Sequence, residues 1–394
     1  KIYIKPEPSV ENHIWTDIKG AGIFAVYDSL NREEPYQGYD FKLTYNIYNP
    51  KLYPAYLEIA LPPDTARQKV FINDISPRPV NVRKDENGNW LARYQLGPTQ
   101  KQNVIVKGSL AIFLNDKFFG TFVNYDKYLK IDDTKILENS PELKTPEDAY
   151  QFSVSYLPDN KTNLFVSLCR NLGIPAREIV GFANGELHSW PEYYNYEKAA
   201  WTPVDPSWGR KTNGTDYFNI LDFDHLIFAF GNPKPPDSFE INVHEGDLDI
   251  AVQPKLGFSS DVPARITSGF GASAKIFLEN YGPTVFAGGN VFFNDESLPT
   301  GELLPFAKKT VEYKILPKPW LADENDIINL KFEAQKRKFD VSSKPFFRNN
   351  FILTVSILFT LGLISIIAQI ARSIYLSQQK RESNLRGKSQ KSSR

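Results

Sequence analysis

Three kinds of side chain in this sequence could carry chemistry without a cofactor: one thiol, a few imidazoles, and the carboxylates that could orient them. The thiol is Cys169, the single cysteine among 394 residues. A thiolate is a strong nucleophile where its surroundings favour the anion, as at a helix N-terminus. Leu164, Phe165, Leu168, Cys169 and Leu172 recur at i, i+4 and i+8 spacing, which predicts a helix over Asp159–Leu172. Cys169 then lies on the apolar face near the C-terminal end, where the dipole opposes a thiolate. The reading is a buried core thiol. A lone cysteine also excludes an intrachain disulfide, so stability must come from packed cores.

The histidines are His13, His188, His225 and His244. No two have the close spacing of a metal-ligand pair, so no metal is expected. No Gly-rich phosphate loop is present, and no cofactor is expected. Lys plus Arg equals Asp plus Glu at 46 each, so no basic field attracts nucleic acid.

The elements that must position these groups change character along the chain. Up to about residue 135, apolar runs alternate with turn clusters (Phe41–Tyr48, Ala55–Ala60, Asn103–Phe113), and prolines forbid long helices. Asn87-Gly88 between Val80–Val82 and Trp90–Leu96 is a hairpin signal. The expectation for 1–135 is an antiparallel β-sandwich. Residues 136–238 combine a helix start at Pro146, the Cys169 helix ended by Gly173-Ile174-Pro175, and strand-like runs at Arg177–Phe182, His188–Tyr194 and Ala200–Val204, an α+β pattern. Residues 239–345 return to short strands (Asp249–Val252, Ala274–Leu278, Val285–Phe293, Thr310–Ile315), predicting a second, membrane-proximal sandwich.

Residues 351–371, FILTVSILFTLGLISIIAQIA, contain no charge. About 20 apolar residues are what a bilayer core of roughly 30 Å requires, so this segment reads as a transmembrane helix. It is followed by Arg372, Lys380, Arg381, Arg386, Lys388, Lys391 and Arg394 against a single acid, Glu382. Cytoplasmic flanks carry such an excess, which places 372–394 as a basic cytoplasmic tail and the bulk of the chain outside. The composition of the tail predicts disorder. The first residue, Lys1, fits a cleaved signal peptide and equally a trimmed chain. Asn160-Lys161-Thr162 and Asn213-Gly214-Thr215 fit the N-glycosylation pattern.

Leu172-Gly173-Ile174-Pro175-Ala176-Arg177, His188-Ser189-Trp190 and the Trp201–Trp208 segment with Asp205-Pro206 resemble the transglutaminase-like domain of the papain-related superfamily. Asp216-Tyr217-Phe218-Asn219 and Asp224-His225 resemble its bacterial members. Gln68-Lys69-Val70-Phe71 and Gly88-Asn89-Trp90 resemble a companion β domain. The resemblance implies a Cys-His-Asp site in which a thiolate attacks a glutamine or peptide carbonyl, the imidazole moves its proton, and the carboxylate orients the ring. His188 and Asp205 occupy the matching positions. The nucleophile position falls at about Pro158, which is not a cysteine. Of the nearby hydroxyls Ser153, Ser155 and Thr162, none has the acidity of a thiol.

The expectation is therefore a cell-surface protein with a remnant His188–Asp205 pair, acting in binding or scaffolding of a peptide or protein. Trp190, Trp208 and Tyr193 are its candidate binding aromatics, with core packing as the other reading of the tryptophans. Two alternatives stay open. One is an active cysteine peptidase, amidase or transamidase using Cys169 or another nucleophile. The other is a structural spacer. Oligomeric state is not legible in the sequence.

Overall fold

The computed structural model describes residues 14–18, 22–26, 37–113, 126–131, 137, 140–156, 161–211, 217–231, 233–333, 335–345, 348 and 350–391. The position expected for a nucleophile, Pro158, and the sequon asparagines Asn160 and Asn213 lie outside these residues. The protein is multidomain: an antiparallel β domain, an α+β domain, a β-sandwich and one long apolar helix. Its Cα packing divides into two compact units, residues 1–257 with 278–288 and 301–309, and residues 258–277 with 289–300 and 310–394.

The first strands are β1 (Ile14–Ile18), β2 (Gly22–Val26), β3 (Gln37–Tyr48), β4 (Ala55–Leu61), β5 (Gln68–Ser76), β6 (Asn81–Lys84), β7 (Trp90–Leu96) and β8 (Lys101–Ile112). Along β3, Tyr39, Phe41, Leu43, Tyr45 and Ile47 are buried while the residues between them are not. That period of two is what one sheet face on a core requires. β4, β7 and β6 form the facing sheet, and Tyr45 donates its hydroxyl to Ala60 O at 2.6 Å, tying the sheets together. Asn87-Gly88 makes the expected turn between β6 and β7, with Gly88 at φ +94°. Such a positive φ is costly for any residue with a Cβ.

Helix α1 (Pro146–Ser155) opens on a capping box in which Thr145 and Asp148 each accept the other's backbone N–H. Helix α2 (Lys161–Asn171) follows, then β9 (Ala176–Ala183), β10 (Glu186–Asn195), β11 (Ala200–Pro203), the short α3 (Pro206–Lys211) and β12 (Leu226–Phe230). The sheet order is β11-β10-β9-β12, with α1 and α2 packed on one face. Next, β13 (Ser238–Val243) pairs with β3 in a sheet ordered β13-β3-β8-β5. The boundary expected at 238/239 therefore falls at a strand that completes the first sandwich.

The free edge of β12 is closed by side chains of the first sandwich. Gln68 Nε2 donates to Ile227 O at 2.9 Å and its Oε1 accepts from Ile227 N at 2.9 Å. Asn89 repeats the pattern on Phe230, at 2.9 Å and 2.7 Å. Two buried carboxamides thus satisfy backbone groups that an edge strand leaves unpaired.

The remaining strands are β14 (Leu256–Asp261), β15 (Arg265–Thr267), β16 (Ala272–Asn280), β17 (Asn290–Phe293), β18 (Glu296–Pro299), β19 (Lys308–Ile315), β20 (Glu324–Phe332) and β21 (Gln335–Lys344). They form sheets ordered β14-β16-β19 and β15-β21-β20-β17-β18. Phe293 and Tyr313 stack at 4.4 Å across the second sandwich. The expected strand at Asp249–Val252 is irregular. Its alternating Leu248, Ile250 and Val252 pack on Phe71, Ala111 and Phe113, which satisfies the apolar pattern without a ladder.

Helix α4 spans Asn350–Lys391, and Leu353–Gln379 within it is long and apolar enough to cross a membrane, with mean hydropathy 2.2 and none of it buried against the protein. The tail expected to be disordered continues this helix as far as Lys391. Its Arg, Lys, Gln, Glu and Leu residues are good helix formers, and no proline intervenes.

Candidate functional site

His188 enters the site from β10, directly opposite Gly181 of β9. A Cβ at Gly181 would lie 2.1 Å from Leu226 O and 2.5 Å from the Trp190 ring, so only glycine lets Trp190 lie this close to the sheet. Asp205 follows β11 and caps α3: its Oδ1 accepts from Ser207 N at 2.9 Å and Trp208 N at 3.0 Å. Capping fixes the carboxylate and leaves Oδ2 free to face the imidazole. His188 Nε2 reaches that oxygen at 2.7 Å, with Asp205 fully buried and the His188 side chain 19% exposed. The two residues that the resemblance singled out are in contact.

The sequence reading missed a second imidazole on the same oxygen. His225 Nε2 lies 3.1 Å from Asp205 Oδ2, and its Nδ1 lies 2.5 Å from Asp222 Oδ1. Asp222 also accepts from Tyr217 Oη at 3.3 Å and from Asp224 N at 3.1 Å. Tyr39 of the first sandwich donates to Asp224 Oδ1 at 2.9 Å. The signal in the sequence is the short Asp222-x-x-His225 pair, of which the resemblance singled out only His225, with Asp224.

The electrostatics follow from this geometry. Burial works against a charged His225, but the Asp222 and Asp205 carboxylates outweigh it and push the pKa up to about 9. With a carboxylate at each ring nitrogen, both nitrogens act as donors and the ring is an imidazolium at neutral pH. Burial likewise works against an ionised Asp205, yet hydrogen bonds from His188 and His225 hold its pKa below the usual carboxylate range. Among the described residues, His188, Asp205 and His225 bring one nitrogen or carboxylate oxygen each within 4.8 Å of one another, but a His225 protonated on both nitrogens has no lone pair to offer a cation. The same three atoms are already linked by hydrogen bonds.

The thiol is elsewhere in character. Cys169 is completely buried among the packed residues of α2, β9 and β10, and burial pushes its pKa far up. The hydroxyls weighed as substitutes are all committed to backbone carbonyls: Ser153 to Ala149 O at 2.7 Å, Ser155 to Phe152 O at 2.7 Å, and Thr162 to Ser189 O at 3.0 Å. At the opening of α2, buried Lys161 donates Nζ to Ser153 O at 3.1 Å and to Tyr156 O, placing a cation on the C-terminal carbonyls of α1.

The candidate binding aromatics are core residues. Trp190, Tyr193 and Trp208 are all buried. Trp190 stacks on His188 at 6.0 Å and meets His225 edge-on at 4.9 Å. Trp208 packs on His188 and His225, and Tyr193 lies flat on Phe218 while donating to Asn219 Oδ1 at 2.9 Å. A ligand platform needs an open ring face. Here the rings hold the imidazoles in place. Behind them, Arg177 pairs with Glu192 and is sandwiched between Trp201 at 4.2 Å and Phe230 at 3.9 Å.

Residues 127–206 match the family model of the transglutaminase-like superfamily core. No curated protein matches the chain. Among solved structures, a CARDB domain from Pyrococcus furiosus, in complex with di-metal ions, is 18% identical over 23% of this chain and 94% of that one, at TM-score 0.20. A protein of unknown function from Porphyromonas gingivalis W83 is 11% identical over 77% of this chain and 99% of that one, at TM-score 0.18. The segment that carries α1, α2, β9, β10, β11 and the His188–Asp205 pair is thus a transglutaminase-like superfamily domain.

Proposed function

We propose that this chain is a single-pass membrane protein with its bulk outside the cytoplasm and its basic 372–394 segment inside. In this reading its transglutaminase-like domain has no thiol chemistry and serves in binding or scaffolding at the cell surface. The observation that carries the proposal is the burial of Cys169, which puts the one sulfur of the chain inside a packed core. The committed hydroxyls of Ser153, Ser155 and Thr162 support it, since each would have to give up a hydrogen bond to act. The positive-inside rule supports the orientation.

The ligand is an extended peptide or a protein segment that lies along β10 beside His188. Exposed Leu187, the neighbour of His188 on that strand, is the place to look for it. A photo-crosslinking amino acid at Leu187 in cells expressing the chain should yield one discrete adduct with a peptide or protein. Failure to crosslink, with the same residue at an exposed reference position equally silent, would favour a spacer.

A further inference from the structure

The second sandwich carries an exposed apolar cluster at the end that leads into α4. Phe270 is 46% exposed, Leu316 78%, Trp320 56% and Leu321 72%. These residues are locally fixed in place. The Phe270 and Trp320 rings meet edge-on at 5.2 Å, and a Cβ at Gly269, which sits at φ +87°, would lie 2.3 Å from the Trp320 ring. Gly269 thus lets the indole lie directly on the neighbouring turn.

Hydrogen bonds tie the turn at 268–269 to the last residue of β21 and to the 318–322 segment that carries Trp320 and Leu321. Ser268 N donates to Lys344 O and Gly269 N to Lys318 O, each at 2.8 Å, and Ser268 Oγ donates to Ala322 O at 2.6 Å. β15 runs parallel to Ser342–Lys344, so the turn after β15 sits where β21 ends. Arg348, two residues before α4, is held at the same place: Arg265 Nη2 donates to its carbonyl at 2.9 Å, and its guanidinium pairs with Asp323, as does Lys344.

This placement has a consequence for distance. The apolar span opens at Leu353. With α4 starting at Asn350, even the greatest possible reach of the chain from Arg348 leaves Leu353 within roughly 12 Å of it. The headgroup layer on each side of a bilayer core is about 5–8 Å deep. The distance from Arg348 is an upper bound, and the Trp320 and Phe270 side chains add several ångströms of reach, so a cluster stitched to Lys344 and Arg348 meets the interfacial layer where Trp side chains are enriched in membrane proteins.

We infer that Phe270, Leu316, Trp320 and Leu321 form a bilayer-contact surface. They dip into the headgroup and upper acyl layer of the membrane that α4 spans, beside the Lys344–Asp323–Arg348 ion-pair cluster. The occupant is lipid, because the surface is continuous with the membrane span. Its chemistry, an indole over apolar side chains, suits that boundary. The function is to seat the second sandwich on the bilayer rather than leave it swinging on the short connection to α4.

The inference rests on α4 being a membrane span, and the test separates the two. The full chain is reconstituted in phosphatidylcholine–phosphatidylglycerol vesicles and spin-labelled at Leu321→Cys, at Leu361→Cys within the span, or at Ile327→Cys on β20. Buried Cys169 takes no label. Oxygen and a water-soluble nickel chelate serve as the relaxing probes. The expected result is a ratio of oxygen to nickel accessibility at 321 at least threefold above that at 327 and below that at 361. A ratio at 321 equal to that at 327, with 361 in lipid, overturns the surface and leaves the span standing. Protection of 321 from both probes also overturns it, since it indicates a protein occupant. An aqueous ratio at 361 overturns the span and the surface together.

Discussion

Asp205 and His225 share one short contact that changes how this site is understood: His225 Nε2 lies 3.1 Å from Asp205 Oδ2, the oxygen that also takes His188. In a Cys-His-Asp site the carboxylate serves a single imidazole, orienting it and stabilising its charge as the proton moves. Here the carboxylate also carries a permanently buried imidazolium that is clamped on its other side by Asp222. Part of the charge that would polarise His188 is already neutralised. The arrangement suits a fixed polar core better than a proton relay.

The imidazolium predicts a pH dependence of stability. The folded pKa of His225, about 9, is raised above the unfolded value, about 6.5. A raised folded pKa means that the folded state binds the proton more tightly. The stabilisation is fully present below about pH 6.5 and is lost as pH rises through about 9. Its size is of the order of 3 kcal/mol. Thermal melts of the chain and of His225→Gln between pH 6 and 10 should show the wild-type advantage shrinking toward high pH. An advantage that grows with pH would contradict the assignment.

Burial of Cys169 predicts slow alkylation. Iodoacetamide at neutral pH should leave the folded chain unmodified and should label it stoichiometrically once it is denatured. Intact mass spectrometry reads both states. Rapid labelling of the folded chain would place the sulfur at a surface and revive it as a nucleophile.

The carboxamide bridges predict that the first sandwich and the transglutaminase-like domain depend on each other. Asn89→Ala would strip partners from both the N–H and the C=O of Phe230 in a buried setting. The cost is roughly 2–4 kcal/mol. A lower melting temperature, together with faster hydrogen exchange at Phe230 and its β12 neighbours, is the expected outcome. An unchanged melt would mean that water replaces the side chain and that the bridge contributes little.

Much of this architecture could be read from local pattern. The alternation from Tyr39 to Ile47 and the Asn87-Gly88 turn gave β3 and the β6–β7 hairpin within a few residues. The apolar face of Leu164, Phe165 and Leu168 gave α2. The burial of Cys169 followed from its place on that face. The contact of His188 with Asp205 was legible because the motif around each residue is specific. His225 was not, because the turn preceding β12 has no periodicity and its role depends on two carboxylates that only the fold brings together. Asp249–Val252 shows the opposite failure. Strand-like alternation was satisfied by packing of Leu248, Ile250 and Val252 on Phe71, Ala111 and Phe113. Trp190, Trp208 and Tyr193 cannot be sorted into platform or core by composition, since aromatic side chains serve both.

The central proposal is that no acyl-transfer chemistry runs through this site. The direct measurement is release of ammonia from a glutamine-containing peptide, with a primary amine present, by the full chain and by His188→Ala. The account predicts equal release from both, at the level of buffer. Release by the wild-type chain that disappears in His188→Ala would show a working nucleophile beside that imidazole and would contradict it.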